Sequence, residues 1–511
     1  MTTAREDCPD VPGEHAAPTD LAGLVADAAR RDPRHPALVE VLAEGEPKLL
    51  TWGELDIAVT VEAQRLLAAG VAPGDRVALR LPAGAEYCVA LFGALRAGAA
   101  VVPLQSGTPE PEWRPVIEDS GARILVSDGR VGGPDADAGE AVVTLPPPQT
   151  HPASSADVPA PEGGEALAIL AYTSGTSGPA RGAMLSHRAL LANLDQCARL
   201  RPRPVNAADR VLVALPLHHA YGLGPGLLQV AGAGATAIVL PRFDATGALD
   251  VIRDQRVTTV AGVPPMYEAW RRLPVQRLRE GMATVRLLTS GAAPLEPATA
   301  HAVSAATGLE IFEGYGLTET GPVLTTTLAG GHGKPGSVGA PLPGVEIRLV
   351  DADGTPLDED DDGDTGRVSA RGPNLFSGYW PDGAHGPDAD GWFRTGDVGY
   401  FDADGDLHLV DRASDLIIVN GFNVYPHELE HVVLQLEEVH EVAIVGVRDD
   451  VTGEAVKAVV VLEDGASLEA DDVIAHCARN LARFKVPVSV EFAEQLPHSP
   501  TGKLARRVLR G

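Results

Sequence analysis

One alternation constrains this chain more than anything else in it. Short apolar runs bounded by Gly, Pro or Asp, at 76–81, 100–104, 123–126, 210–215, 236–240 and 257–260, are separated by stretches with helical character at 55–69, 86–97 and 189–198. Strands alternating with helices of that length imply right-handed crossovers, mostly parallel pairing and sheets covered on both faces. The first 325 residues, roughly, are therefore expected to be α/β. Beyond residue 337 the texture changes to short strands at 345–350, 366–370, 400–401 and 407–410 between Gly/Asp turns, which predicts a small β-barrel or β-meander. After residue 411 helices (426–436, 471–482) and strands (442–447, 455–462) mix again, enough for a last domain of about 100 residues.

A length of 511 residues, 44% apolar and 22% charged, describes a soluble globular protein with a large core. The formal charge of −29, without a local basic stripe, argues against nucleic acid and anionic membrane surfaces as partners. Cysteines 8, 88, 197 and 477 form no CxxC pair and have no histidine at zinc-ligand spacing, so they read as free thiols in a reducing compartment. The first twenty residues lack the basic start and apolar stretch of a signal peptide, and no uncharged apolar run approaches about 18 residues. A cytoplasmic protein with a frayed N-terminus is expected. The run DEDDDGD at 358–364 reads as a solvated turn in preference to a metal loop, and 131–139 and 146–165 read as loops.

Three constellations carry chemistry. The segment YTSGTSGPARG (172–182) follows an apolar strand at 167–171. Its glycines let backbone N–H groups curl around an anion, while Thr173, Ser174, Thr176 and Ser177 donate further hydrogen bonds and Arg181 adds charge. The spacing is not that of a GxxxxGK[ST] loop. On composition alone a flexible Gly/Ser linker fits equally well. The second, EGYGLTET (313–320), sets Tyr315 between glycines where its ring can face a planar base. Thr318 can bond a phosphate oxygen, and Glu319 offers one carboxylate to Mg²⁺, an ion that fills its octahedron largely with phosphates and water; taken alone, the motif reads more simply as a tight turn with a surface acid. The third, WFRTGD (392–397), ends in Asp397, whose two oxygens could accept both hydroxyls of a ribose; a turn-capping Asp is the alternative.

In order, the motifs TSGTSGxxRG, LPLHHAYGL, SGAAPL, GYGLTET, GSVGAPLPG, RGPNLFSGYW, WFRTGD, DRxSDLIIVNGFNVYPHELE and PTGK resemble the adenylate-forming superfamily: acyl- and aryl-CoA synthetases, nonribosomal peptide synthetase adenylation domains and beetle luciferases. The resemblance runs from about residue 51 to 503. It implies a large N-terminal domain (1–410, with 1–18 disordered), a hinge at 411–414 and a small mobile α+β C-terminal domain (415–511).

It also implies ATP, Mg²⁺ and CoA as reactants and a small carboxylic acid as substrate. Residue by residue, Thr173, Ser174, Gly175, Thr176, Ser177, Gly178 and Arg181 match the phosphate loop, and His219 the histidine beside the acyl carboxylate. Gly291, Ala292, Ala293, Glu313, Gly314, Tyr315 and Gly316 match the adenine walls. Thr318 and Glu319 match the phosphate and Mg²⁺ positions, Asp397 and Arg412 the ribose contacts, and Lys503 the C-terminal lysine that reaches the reacting carboxylate. The acid pocket is implied around His218, Tyr221, Val263, Ser290, Pro322 and Val323, and Gly421 stands where pantetheine passes.

That chemistry makes physical sense of the charges. A carboxylate attacking an α-phosphate brings anions together, so catalysis needs charge neutralisation and in-line positioning more than proton transfer. The chain has five lysines against 36 arginines, which makes a lysine at position 503 less of an accident. Three positions depart from the family pattern. Arg181 replaces a usual Lys, His218 replaces a frequent Phe and reads most simply as an aromatic-sized filler, and Ser414 replaces an Asp or Lys at the hinge. The expected reaction is acyl-AMP formation with release of pyrophosphate, then transfer to CoA. The alternative is a stand-alone ligase that passes the acid to a separate carrier protein or another nucleophile, or activates a different oxyacid. The mostly apolar pocket favours a neutral acyl or aryl tail.

Overall fold

The computed structural model describes residues 18–43, 45–129, 142–153, 158, 161–173, 180–357, 365–412, 415–419, 422–449, 453–498 and 504–509. Strands form where the apolar runs predict them, at Arg76–Arg80, Ala100–Pro103, Ile124–Ser127, Arg210–Val213, Thr236–Val239 and Thr259–Gly262, and helices at Trp52–Ala68, Ala85–Arg96 and His187–Ala198. The helix Trp52–Ala68 begins with a reciprocal cap: Thr51 Oγ1 accepts the Glu54 N–H at 3.2 Å and Glu54 Oε2 accepts the Thr51 N–H at 2.8 Å.

Two large sheets build the first part of the chain. Six strands of one run parallel: Ile311–Tyr315, Leu287–Ser290, Thr259–Gly262, Arg210–Val213, Thr236–Val239 and Pro36–Glu40, in that spatial order, with antiparallel strands added at both edges. In the other, Val143–Leu145, Ile124–Ser127, Arg76–Arg80, Ala100–Pro103 and Leu167–Thr173 are parallel, and Arg181–Ser186 closes an antiparallel hairpin on the last of them. The helix Ala85–Arg96 is apolar on almost every face and is buried from Ala85 through Leu95 apart from Glu86. It shares one core with residues of both sheets, among them Val77, Val101, Val213 and Val239, as an all-round apolar helix must.

The four strands Glu346–Val350, Gly366–Arg371, Phe393–Phe401 and Leu407–Arg412 form a consecutive antiparallel meander. Its inner face (Val368, Ala370, Leu407) packs with Phe312 and Tyr315 of the nine-stranded sheet and with Leu324. Residues 417–492 build a further sheet with its own apolar core of Ile417, Val424, Leu429, Ile444, Val456 and Val473 under two helices, Pro426–Val433 and Ala470–Asn480. Cys88, Cys197 and Cys477 are buried free thiols. Among the described residues no helix is long and apolar enough to cross a membrane. The acidic run 358–364 and the stretch 131–139 lie outside the described residues.

Candidate active site

In parallel sheets the loops that leave the carboxyl ends of the strands converge on one edge, where ligands bind. The candidate residues gather there. His218 and His219 follow the strand Arg210–Val213, Val263 follows Thr259–Gly262, Gly291 to Ala293 follow Leu287–Ser290, and Gly316 to Glu319 follow Ile311–Tyr315.

Local backbone demands explain several identities. A Cβ on Gly316 would sit 1.8 Å from the Pro322 carbonyl oxygen, and one on Gly291 would meet the Tyr221 ring at 2.9 Å, so both close approaches need glycine. Ala292 takes φ +71°, a conformation a non-glycine residue holds only where its surroundings fix it. The segment after Thr318 is held from below by buried amides that sequence reading did not single out. Asn374 Nδ2 donates to the Thr320 carbonyl at 2.7 Å, Gln196 Nε2 donates to Asn374 Oδ1 at 3.3 Å, and Asn193 Nδ2 donates to the Val323 carbonyl at 2.7 Å.

The Glu319 side chain is buried at 8% exposure. Its Oε1 accepts the Tyr379 hydroxyl at 2.6 Å, and among the described residues no donor takes Oε2. One carboxylate oxygen held and one left to a ligand fits a divalent cation that keeps mostly water and phosphate oxygens. Among the described residues no cluster of three or more metal-ligating side chains exists, so any cation here relies on its nucleotide for most of its shell.

Asp397 lies inside the strand Phe393–Phe401, not at a turn, which removes the turn-capping alternative. It is 6% exposed, its Oδ2 accepts the Tyr315 hydroxyl at 2.6 Å, and Arg412 is its cross-strand partner. The same bond fixes the Tyr315 ring through its hydroxyl and leaves the ring face uninvolved. Thr173 and Arg181 pair across the hairpin that brackets the Gly/Ser/Thr segment, so this loop joins two antiparallel strands instead of entering a helix. Ser174, Gly175, Thr176, Ser177 and Gly178 lie outside the described residues, as do Ser414, Gly421 and Lys503. The Arg181 guanidinium lies 4.3 Å over the Tyr379 ring.

On the acid side, His219 Nδ1 accepts the Tyr221 N–H at 3.3 Å, which orients the imidazole against the π-helical turn Gly222–Leu228. Burial pushes the His218 imidazole down to about 4 and the Tyr221 phenol up to about 12, so both are neutral near pH 7. Burial also pushes Glu313 up to about 7, against the N–H groups of Gly336 and Leu295 that its carboxylate accepts. A cavity of about 60 Å³ opens beside Tyr221, Ser290 and Val323 and runs between Leu200, Phe312 and Leu328 without a charged side chain on its wall. His218, Val263 and Pro322 do not line it. Ser290 Oγ is buried without a hydrogen-bond partner among the described residues.

Comparison with known proteins agrees with this geometry. A family model described as AMP-binding enzyme matches residues 25–380, and one for the AMP-binding enzyme C-terminal domain matches 428–503. The chain is 37% identical over 466 residues to a feruloyl-CoA synthase of an Amycolatopsis species, covering 90% of this chain and 93% of that one. It is 36% identical to a long-chain-fatty-acid–CoA ligase of Salmonella typhimurium, covering 96% and 94%. Its fold matches ATP-bound MatB from Rhodopseudomonas palustris with a TM-score of 0.86 and 34% identity, over 96% of this chain and 98% of the other.

Proposed function

This chain belongs to the AMP-binding, adenylate-forming enzyme family, and from that premise we propose that it activates a carboxylic acid with an uncharged, largely apolar acyl or aryl tail. The enzyme is an ATP-dependent, AMP-forming acid:CoA ligase. The acid's carboxylate attacks the α-phosphorus of ATP, pyrophosphate leaves, and the thiol of CoA then displaces AMP from the acyl-adenylate to give a thioester.

In this reading, Gly291 to Ala293 and Glu313 to Gly316 wall the adenine, and Asp397 with Arg412 holds the ribose. Residues 173–178, Arg181 and Thr318 hold the phosphates. Glu319 offers Oε2 to Mg²⁺, which when bound neutralises phosphate charge. His219 faces the carboxylate, and Lys503 reaches the reacting centre from the segment after residue 414. Gly421 leaves room for pantetheine. The segment 411–414 is the hinge about which residues 415–511 turn between the two half-reactions. These residues bind, orient and neutralise; none has to move a proton in the first step.

The observation that carries the choice of tail is the cavity. An ionised tail sealed there would lose its hydration with no opposite charge to meet it, a cost of several kcal/mol on the order of that paid by any unpaired buried ion. A pyrophosphate-release screen over carboxylic acids, with and without CoA, tests this. Monocarboxylic acids with neutral chains or rings should turn over. Preference for dicarboxylates or amino acids would overturn the assignment.

A further inference from the structure

Tyr379 stands between two charged groups of the site, and the motif reading gave it no role although it lies within SGYW. Its hydroxyl donates to Glu319 Oε1 at 2.6 Å, and the Arg181 guanidinium carbon sits 4.3 Å from its ring centroid. The ring is itself fixed. Its edge meets Phe376 at 5.1 Å between centroids, and backbone bridges tie residue 379 to Ala183 and Ala384. Among the described residues Arg181 makes no ion pair.

The exposed Arg181 guanidinium lies over the face of a buried ring whose hydroxyl end meets the buried Glu319 carboxylate, and the two opposite charges would attract each other if nothing separated them. Once paired, each would cancel the charge the other needs for its ligand. The tyrosine satisfies each separately. Its electron-rich face attracts the cation, and its O–H gives the carboxylate a short charge-assisted hydrogen bond. A planar guanidinium lies flat on such a face where a compact ammonium has less to gain, which makes Arg181 a coherent replacement for lysine here.

We propose that Tyr379 is a positioning residue that keeps Arg181 and Glu319 from pairing with each other, leaving the arginine's charge for nucleotide phosphates and Glu319 Oε2 for a divalent cation. This rests on the nucleotide-site reading of Arg181 and Glu319 given above.

Calorimetric titration of the full-length protein with ATP in EDTA and with Mg·ATP tests it without recourse to turnover. Tyr379→Phe keeps the ring and loses the hydroxyl, so metal-free ATP should bind within about twofold of wild type while Mg·ATP weakens on the order of tenfold. Tyr379→Leu removes the spacer as well, and both titrations should weaken. Adding Glu319→Gln to Tyr379→Leu should then restore metal-free ATP binding, because the arginine has lost the carboxylate that trapped it. Unchanged Mg·ATP affinity in Tyr379→Phe overturns the proposal, as does a double variant no better than Tyr379→Leu. The Phe variant preserves the packing against Phe376, so its two titrations decide the matter even where the Leu variant does not fold. Wild-type protein that binds no ATP in either titration would instead overturn the nucleotide-site reading itself.

Discussion

The phenol of Tyr315 donates a 2.6 Å hydrogen bond to Oδ2 of Asp397 across 82 residues of sequence. One partner ends a central strand of the nine-stranded sheet and the other lies in the meander, so the bond ties the wall proposed for adenine to the carboxylate proposed for ribose. Both residues are buried, and hydrogen bonds to charged groups contribute about 1.5–3 kcal/mol. Tyr315→Phe should therefore raise the KM for ATP on the order of tenfold. The KM for CoA should stay near wild type. Steady-state kinetics with each substrate varied in turn would show the split, and an equal rise for both would mean that the bond supports the whole fold and not the nucleotide.

Glu319→Gln preserves shape and the ability to accept from Tyr379 while removing the charge. If Glu319 acts by electrostatic stabilisation, acyl-AMP formation should fall roughly a hundredfold. Pyrophosphate release measured at limiting Mg²⁺ is the sensitive assay. Near-normal rates there would detach Glu319 from the metal.

Much of the fold was legible because a buried parallel strand announces itself as an apolar run between breakers, as at 76–80 and 236–239. The strand Phe393–Phe401 was read only at its last two residues. Its Thr395-Gly-Asp397 sequence has the composition of a turn, and it is pairing with Gly366–Arg371 on one side and Leu407–Arg412 on the other that makes it a strand. The grouping of the candidate residues was legible where one motif carries them, as in 313–319. It was not legible where a side chain acts through a distant partner. Tyr379 reaches Glu319 across 60 residues and Asn374 reaches Thr320 across 54, and no local pattern encodes such pairings.

Glu313 gives a pH signature in stability. Burial raises its carboxyl from 4.5 to about 7 in the folded protein. Below pH 4.5 both states hold the proton and the group is neutral in its effect. Between 4.5 and about 7 the folded state keeps a proton that the unfolded chain releases, so stability falls as pH rises, by about 3 kcal/mol once the folded group ionises. Glu313→Gln removes the titration. Its unfolding free energy, measured by denaturant between pH 5 and 8, should therefore decline less with pH than that of wild type. Parallel slopes would show that the carboxyl titrates normally.

Lys503 should separate the two half-reactions. Residues 499–503 lie outside the described residues, but both flanks are anchored on the same small sheet. His498 bridges Leu504, and the Arg506 guanidinium bonds both oxygens of Glu430 on the helix Pro426–Val433 at 2.9 and 2.7 Å. On the proposed hinge at 411–414, the flanks of Lys503 move together with residues 415–511. Its charge is needed only while the carboxylate approaches the α-phosphate, when two anions must be brought together. Lys503→Ala should slow acyl-AMP formation by roughly two to three decades, equivalent to about 3–4 kcal/mol of barrier. Supplied with synthetic acyl-AMP and CoA, the same variant should form thioester at close to the wild-type rate, because under the proposed rotation the pose that admits the thiol carries the lysine away. Paired single-turnover assays measure both steps. An equal loss in each would mean that Lys503 stays at the reacting centre throughout, and that residues 415–511 hold a single pose during the cycle.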